Sequence, residues 1–313
     1  MDAITNSMVS VCMITYNHDK YISQAIEGVL IQKADFQIEL VIGEDYSTDS
    51  TREICEKYAS MYPNIIRLLP SHKNLGMMPN FIRTLQACTG KYIALCEGDD
   101  YWTDPYKLQK QVDFLEANPG YVFTFHDALI LNQKTGETRV RIGDRKIDTT
   151  VDLKSLITQK NITTASILSR NILDYNSFPS WFSLITNGDY GLCVLLAERG
   201  LGKYIPEVMS VYRFHEGGVW SGNGFEFTYN ADLQFYNYLL DYFKDKDLKK
   251  TIRTKIRWTR YNYGISNIRN GRLIKGLFLA LLNMQLKGDK RLMTNPRKIA
   301  SAVKKFLKFK VFS

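Results

Sequence analysis

Four short apolar runs in the first hundred residues constrain this chain more than any other feature, because polar clusters end them and helical periodicity separates them. Residues 9–15 (VSVCMIT) run into Tyr16-Asn17-His18-Asp19, and residues 38–43 (IELVIG) into Glu44-Asp45-Tyr46-Ser47. Residues 65–69 form a third run, and residues 91–96 (KYIALC) end at Glu97-Gly98-Asp99-Asp100. Between them Ile22, Ala25, Ile26, Val29 and Leu30 recur at helical spacing, as do Ile54, Tyr58 and Met61, with Asp49 or Ser50 placed to cap the second helix. Residues 80–88 read as a short helix. Asp104-Pro105 opens another, lined by Leu108, Val112 and Leu115 and stopped at Asn118-Pro119-Gly120. Strands alternating with helices of about 10–15 residues imply the α/β class, with a mostly parallel sheet covered on both faces. Ligands bind such sheets at the carboxyl ends of the strands. The clusters YNHD, GEDYS and CEGDD should therefore converge on one edge.

The second half is less regular. Residues 122–125, 139–142 and 210–214 read as strands, and residues 188–199 as a helix closed by Gly200. After a glycine-rich stretch at residues 217–224, helical patterns cover residues 225–243, 248–263, 273–285 and 298–309. The expected organisation is a domain of residues 1–222 followed by a helical region of residues 223–313. Charge divides the chain in a similar way. Its formal charge is +9, but from residue 248 onward 18 Lys and Arg face a single acid, Asp289, so that this segment carries +17 and the first 247 residues −8. Such asymmetry points to an anionic partner for the basic end. Residues 297–312 place Ile299, Val303, Phe306 and Leu307 on one helical face, with Lys298, Lys304, Lys305 and Lys308 largely opposite. That is the pattern of a helix lying on an anionic membrane surface; a helix docked on the body with a solvated basic face is the other reading. No helix-turn-helix, zinc-finger or RNA-recognition pattern accompanies it, so nucleic acid is not an expected partner.

An apolar share of 45% argues against disorder for the bulk of the chain. The five cysteines are scattered without a C-x-x-C pair, which disfavours a zinc ribbon or a disulfide framework and fits a reducing compartment. The opening MDAITNSM lacks the basic and apolar regions of a signal peptide. No run reaches the roughly 18 apolar residues of a membrane span, since residues 277–286 are broken by Asn283 and Gln285. The expected location is cytoplasmic, peripheral on the inner face of a membrane.

Three carboxylates in four residues, Glu97, Asp99 and Asp100, are electrostatically costly unless a cation sits among them. Mg²⁺ or Mn²⁺ takes oxygen ligands and commonly bridges a substrate's phosphates. A solvated acidic turn, with Asp104 capping the next helix, is the alternative. Asp45 should share a sheet edge with Asp99, where a carboxylate could accept a hydrogen bond from the imide N–H of a uracil ring. Ser47, Thr48 and Asp49 read as loop and helix cap. The chain contains no G-x-x-x-x-G-K-[ST], no G-x-G-x-x-G and no G-x-S-x-G, which disfavours a P-loop, a Rossmann dinucleotide site and a serine hydrolase.

In order along the chain, VSVCMITYN at residues 9–17, Glu44-Asp45-x-Ser-Thr-Asp, Asn74-x-Gly76 and Glu97-Gly98-Asp99-Asp100 resemble glycosyltransferase family 2 over roughly residues 8–220. The resemblance implies a GT-A nucleotide-sugar-binding fold and an inverting, metal-dependent transferase. It implies that Thr15 and Asn17 line the nucleotide pocket, that Asp45 contacts the base, with Glu44 replacing the first acid of the usual pair, and that Asn74, Gly76 and Asn80 face the nucleotide. Glu97 and Asp99 occupy the Asp-x-Asp positions. Asp99 is the implied metal ligand, while Glu97, longer by one methylene than the usual Asp, and Asp100 are assigned to the nucleotide-sugar. Asp189 in Asn187-Gly188-Asp189-Tyr190 aligns with the catalytic base, Gly188 replacing the first of an acidic pair; a first-turn acid favoured by the helix dipole is the other reading. His215 resembles a polar ligand near the metal and diphosphate, against the alternative of an exposed loop imidazole. His18, His72 and His126 read as structural or surface residues, and Trp102 as either an acceptor-sugar floor or core. The implied substrates are a nucleotide-sugar, UDP-linked in the first instance, and a glycan or lipid-linked acceptor in surface polysaccharide synthesis. The alternatives are a nucleotidyltransferase, which would carry a Gly-rich loop with Arg and Lys where this chain has TYNHDKY, and a non-catalytic protein binding an anionic surface or nucleic acid.

Overall fold

A computed structural model describes residues 8–143, 149–159 and 162–272, together with Gly276 and Leu279. Its contacts divide the chain into two units, Met1–Gly222 and Asn223–Ser313. The first unit runs β1 (Val9–Thr15), α1 (Ile22–Leu30), β2 (Ile38–Glu44), α2 (Thr51–Met61), β3 (Ile66–Leu68), α3 (Met77–Ala87), β4 (Tyr92–Leu95), β5 (Tyr101–Trp102) and α4 (Lys107–Ala117). It continues with β6 (Tyr121–Asn132), β7 (Thr138–Val140), β8 (Thr150–Val151), α5 (Leu153–Thr158), β9 (Leu168–Arg170), α6 (Gly188–Ala197) and β10 (Leu201–Phe214). The second unit contains α7 (Phe225–Tyr242) and α8 (Lys246–Arg269), which pack on each other.

The sheet has the order β3-β2-β1-β4-β9-β6-β10-β5, with β7 added to β6 and β8 to β10. The β3-β2-β1-β4 half is parallel throughout, and β6 is parallel to β10. Between the halves β9 is antiparallel to both its neighbours. Strands covered on both faces must be apolar on both, which is why β1 reads VSVCMIT. Val9, Val11 and Met13 pack in one core cluster with Ile22, Ile26 and Val29 of α1 and with Leu40 and Ile42 of β2.

The elements differ from the sequence pattern where local turn chemistry or long-range pairing intervenes. Helix α3 begins three residues earlier than the periodicity suggests. Gly76, at φ 87°, turns the chain into it, and Pro79 falls in the first turn, where its missing N–H breaks no helical bond. Helix α4 begins at Lys107 rather than at Pro105, because Asp104 first closes a turn by accepting from the Tyr106 N–H at 2.8 Å. Strand β10 spans 14 residues instead of the expected five. Pro206 and three register shifts interrupt its pairing with β6 and hide the strand from a pattern search. All five cysteines are free and buried. Among the described residues no helix is long and apolar enough to cross a membrane. The helix expected over residues 298–309 and the amphipathic stretch 297–312 lie outside the described residues, as does most of the one expected over 273–285.

Candidate active site

The carboxyl edge of the parallel strands gathers nearly every polar cluster singled out in the sequence. Thr15, at the end of β1, is buried and its Oγ1 lies 3.2 Å from His18 Nδ1. Gly98 packs directly on Thr15: a Cβ at that position would stand 2.4 Å from Thr15 Oγ1, so the acidic turn can approach β1 this closely because glycine occupies the contact. The Gly98 N–H donates to Ile14 O at 2.9 Å, and the Asp100 N–H closes the turn onto Glu97 O at 3.1 Å.

Asn17 and Tyr46 are the described non-glycine residues with positive φ, at 54° and 60°. They hold adjacent loops together. The Asn17 N–H donates to Ser47 Oγ at 3.0 Å, and Asn17 Oδ1 accepts from the Thr48 N–H at 2.9 Å. Asp45 is buried, and its two carboxylate oxygens accept from the Leu75 and Gly76 N–H groups at 2.8 and 2.9 Å, while Asn74 Nδ2 donates to Asp45 O at 2.9 Å. Asp45, Asn74 and Gly76 therefore converge as one latch between strand β2 and the loop that leads into α3. Asn80 is buried behind it, donating to Gly43 O and accepting from Arg83 Nε. These side chains are engaged with the fold, so an incoming base would meet lone pairs that are already partly used.

The acidic turn is the electrostatic centre. One oxygen from each of Glu97, Asp99 and Asp100 falls within 4.8 Å of the others. His215 Nε2 stands 3.0 Å from Asp99 Oδ2, and His18 Nε2 3.7 Å from the same atom. Burial pushes the Asp99 carboxyl upward, but the two imidazoles outweigh it and hold Asp99 below the usual carboxylate range. Glu97 has no such support. Burial, then the charges of Asp99 and Asp189, push it up to about 8. Burial, then the charges of Asp99 and Glu97, push Asp100 well above its ordinary value. Asp100 Oδ1 accepts from the Arg213 N–H at 2.8 Å, whereas its buried Oδ2 has no hydrogen-bond partner among the described residues. An oxygen-rich cluster whose members repel one another, with an unpartnered buried oxygen, fits a hard divalent cation.

Arg213 braces this arrangement. Its guanidinium donates to the Asp99 carbonyl and to Gln24 Oε1, and lies over the rings of Tyr101 and Tyr21 at 4.4 and 5.1 Å. Asp189 lies at the start of α6, its Oδ1 accepting from the Tyr190 N–H and its Oδ2 from Thr164 Oγ1, both at 2.7 Å. Asp189 and Thr164 both lie close enough to Glu97 to act on its carboxyl, which links the acidic turn to Asp189.

Some expectations need correction. His18 is not a peripheral residue, since it faces Asp99; the signal was its place in the YNHD cluster. Of its two readings, Trp102 takes the core one: it is 2% exposed and its Nε1–H donates to Ala165 O at 2.8 Å. His215 is nearly buried, not an exposed loop imidazole. His72 is exposed and His126 buried, as structural or surface residues should be. Thr164 and Arg213 escaped notice because neither lies in a motif and their partners are distant in sequence.

Comparison with known proteins places this geometry in context. Residues 10–174 match the family model described as Glycosyl transferase family 2. An uncharacterized protein of Mycobacterium tuberculosis is 36% identical over 213 residues, covering 68% of this chain and 60% of that protein, so the chain spans about 60% of the length of such curated relatives. A Bacillus subtilis protein named as a teichuronic acid biosynthesis glycosyltransferase, TuaG, is 27% identical over 202 residues, covering 62% of this chain and 79% of its own. Among solved structures, Staphylococcus aureus TarS 1–349 in complex with UDP-GlcNAc superposes with a TM-score of 0.62 at 17% identity, covering 88% of this chain and 79% of that one. The mannosyltransferase PcManGT from Pyrobaculum calidifontis, in complex with GDP-Man and Mn²⁺, also gives 0.62, at 14% identity and 98% and 84% coverage. Identities this low speak for the fold, which is GT-A. With the family model covering more than half of its length, the chain belongs to glycosyl transferase family 2.

Proposed function

We propose that the unit Met1–Gly222 transfers a sugar from a nucleoside-diphosphate donor, in the first instance a UDP-sugar, to a hydroxyl of a glycan or lipid-linked acceptor, with inversion at the anomeric carbon. The observation that carries this reading is the meeting of Glu97, Asp99 and Asp100 with His215 on one side and Asp189 on the other. UDP-GlcNAc in the TarS complex and GDP-Man in the mannosyltransferase complex support the donor class. The relative named for teichuronic acid biosynthesis supports a surface polysaccharide as the acceptor.

Asp99 is the ligand best suited to Mn²⁺ or Mg²⁺, being held ionised between two imidazoles, with Asp100, Glu97 and His215 available around it. A divalent cation bound there would neutralise the charge that builds on the departing diphosphate. Thr15, Asn17, Asp45, Asn74, Gly76 and Asn80 shape the nucleotide end, largely by fixing the loops between β1, β2 and α3. Asp189 acts as general base: it takes the proton of the acceptor hydroxyl as that oxygen bonds the anomeric carbon. The bond from that carbon to the phosphate oxygen breaks, and its electron pair leaves with the nucleoside diphosphate.

The membrane surface belongs to this reading as the partner of residues 223–313. In α8, Lys246, Lys250, Arg253 and Arg257 recur at helical spacing and remain exposed or half-exposed, with Trp258 48% exposed beside them. A basic stripe of this kind favours anionic headgroups. Nucleoside-diphosphate release from UDP-, GDP- and dTDP-sugars, assayed with and without MnCl₂, tests the enzymatic core. Metal-dependent release from one donor class is expected, and Asp99→Asn should abolish it; an Asp99→Asn protein with full activity overturns the assignment.

A further inference from the structure

We propose that Thr164 is a positioning residue for the transfer step, fixing the Asp189 carboxylate at its working orientation; the inference rests on the reading of Asp189 as base. A carboxylate has two oxygens with about four acceptor sites, and a useful base must keep one of them free and aimed. Here the Tyr190 N–H occupies one site on Oδ1 and the Thr164 hydroxyl one on Oδ2, each at 2.7 Å. Together they stop rotation of the carboxylate and leave each oxygen one further lone pair.

Thr164 can act this way because its own turn is immobilised. It begins a single 3₁₀ turn, Thr164–Ser166, whose carbonyls are tied into the core. Ala165 O accepts from Trp102 Nε1 at 2.8 Å, Ser166 O from Gln111 Nε2 at 2.9 Å, and Ile167 O from the Leu95 N–H at 3.1 Å. Three elements, β5, α4 and β4, thus hold three consecutive residues. The acceptor side of the site is registered through Thr164 against the strand that carries the acidic turn.

Misplacing a reacting group by about 1 Å costs on the order of 100-fold in rate. Thr164→Val keeps the shape of the side chain and removes the hydroxyl, whereas Thr164→Ser keeps the hydroxyl. The experiment measures nucleoside-diphosphate release, with water as acceptor and MnCl₂ present, from whichever UDP-, GDP- or dTDP-sugar wild type turns over. Wild type, Thr164→Val, Thr164→Ser and Asp189→Asn are compared, and melting temperature and the thermal shift given by UDP with MnCl₂ are read on each. We expect kcat of Thr164→Val to fall roughly 10- to 100-fold with donor KM and the UDP shift unchanged. Thr164→Ser should recover to within about threefold of wild type. An inactive Asp189→Asn beside a fully active Thr164→Val overturns the positioning role and leaves the base assignment standing. An active Asp189→Asn removes the base assignment and this inference with it. A Thr164→Val protein that loses kcat together with its melting temperature and UDP shift, or a Thr164→Ser protein as slow as Thr164→Val, also overturns it.

Discussion

Replacing Lys107 by methionine should change how stability depends on pH, in a direction the structure dictates. Lys107 is completely buried; its Nζ donates to Gln111 Oε1 at 2.7 Å and lies 4.1 Å from the Trp102 ring centroid. Burial lowers its pKa from 10.5 to about 7, with Cys96 and Asp104 opposing weakly. A drop of that size corresponds to about 5 kcal/mol at roughly 1.4 kcal/mol per pH unit. The unfolded chain keeps the proton until about pH 10.5 and the folded protein releases it near 7, so between those values the unfolded state binds one more proton. Stability of the wild type therefore rises from pH 7 to 10.5, relative to a variant without the amine, and is level below 7, where both states hold the proton. Lys107→Met removes that dependence but leaves Gln111 Oε1 without its donor, a pH-independent cost of about 1–3 kcal/mol. At pH 6.5 the variant should be the more stable protein by about 2–4 kcal/mol. By pH 10 the order should reverse. Guanidinium titrations at pH 6.5, 7.5, 8.5 and 9.5, followed by tryptophan fluorescence, measure the difference. Two curves that stay parallel across the range refute the reasoning.

Other substitutions probe the site from different sides. Gly98→Ala forces a methyl into Thr15 and should lower both the melting temperature and the thermal shift given by MnCl₂ with UDP, a loss that Thr15→Ser should not reproduce in full. Arg213→Met removes the donors to the Asp99 carbonyl and to Gln24; nucleoside-diphosphate release should drop at least tenfold at saturating donor, and wild-type turnover would disprove the bracing role. Tyr46→Asn relieves a left-handed backbone conformation that asparagine tolerates better, so a gain of about 0.5–1 kcal/mol is expected in chemical denaturation. Changing Lys250, Arg253 and Arg257 together to Gln should reduce sedimentation with anionic vesicles by about 100-fold at low salt, near fivefold per charge, with no change on zwitterionic vesicles.

The local part of this architecture was legible and the non-local part was not. Strands β1, β2 and β4 announce themselves as apolar runs ending in polar residues, so the carboxyl edge and its acidic turn follow from neighbouring residues. Strand β9 has three residues and an alternation too short to register, yet it joins the two halves of the sheet. Roles that depend on it were invisible: Thr164 meets Asp189 across 25 residues, and Arg213 meets Asp99 across 114. Asp45 shows the opposite limit. Its position at the edge was readable, but no spacing rule reveals that backbone N–H groups of Leu75 and Gly76 already occupy its oxygens.

The position of β9 has a consequence for how an active protein comes into being. Strands β1 to β4 and the loops that would grip a nucleotide leave the ribosome first and can pair with one another in order. Thr164, Asp189, Arg213 and His215 all follow, and they reach the acidic turn once β9 has inserted beside β4 and β10 has aligned along β6. A nascent chain halted before β10 thus possesses the carboxylates and His18 without Arg213 and His215. The order of synthesis postpones the assembly of the acidic turn with its later partners until both halves of the sheet have formed.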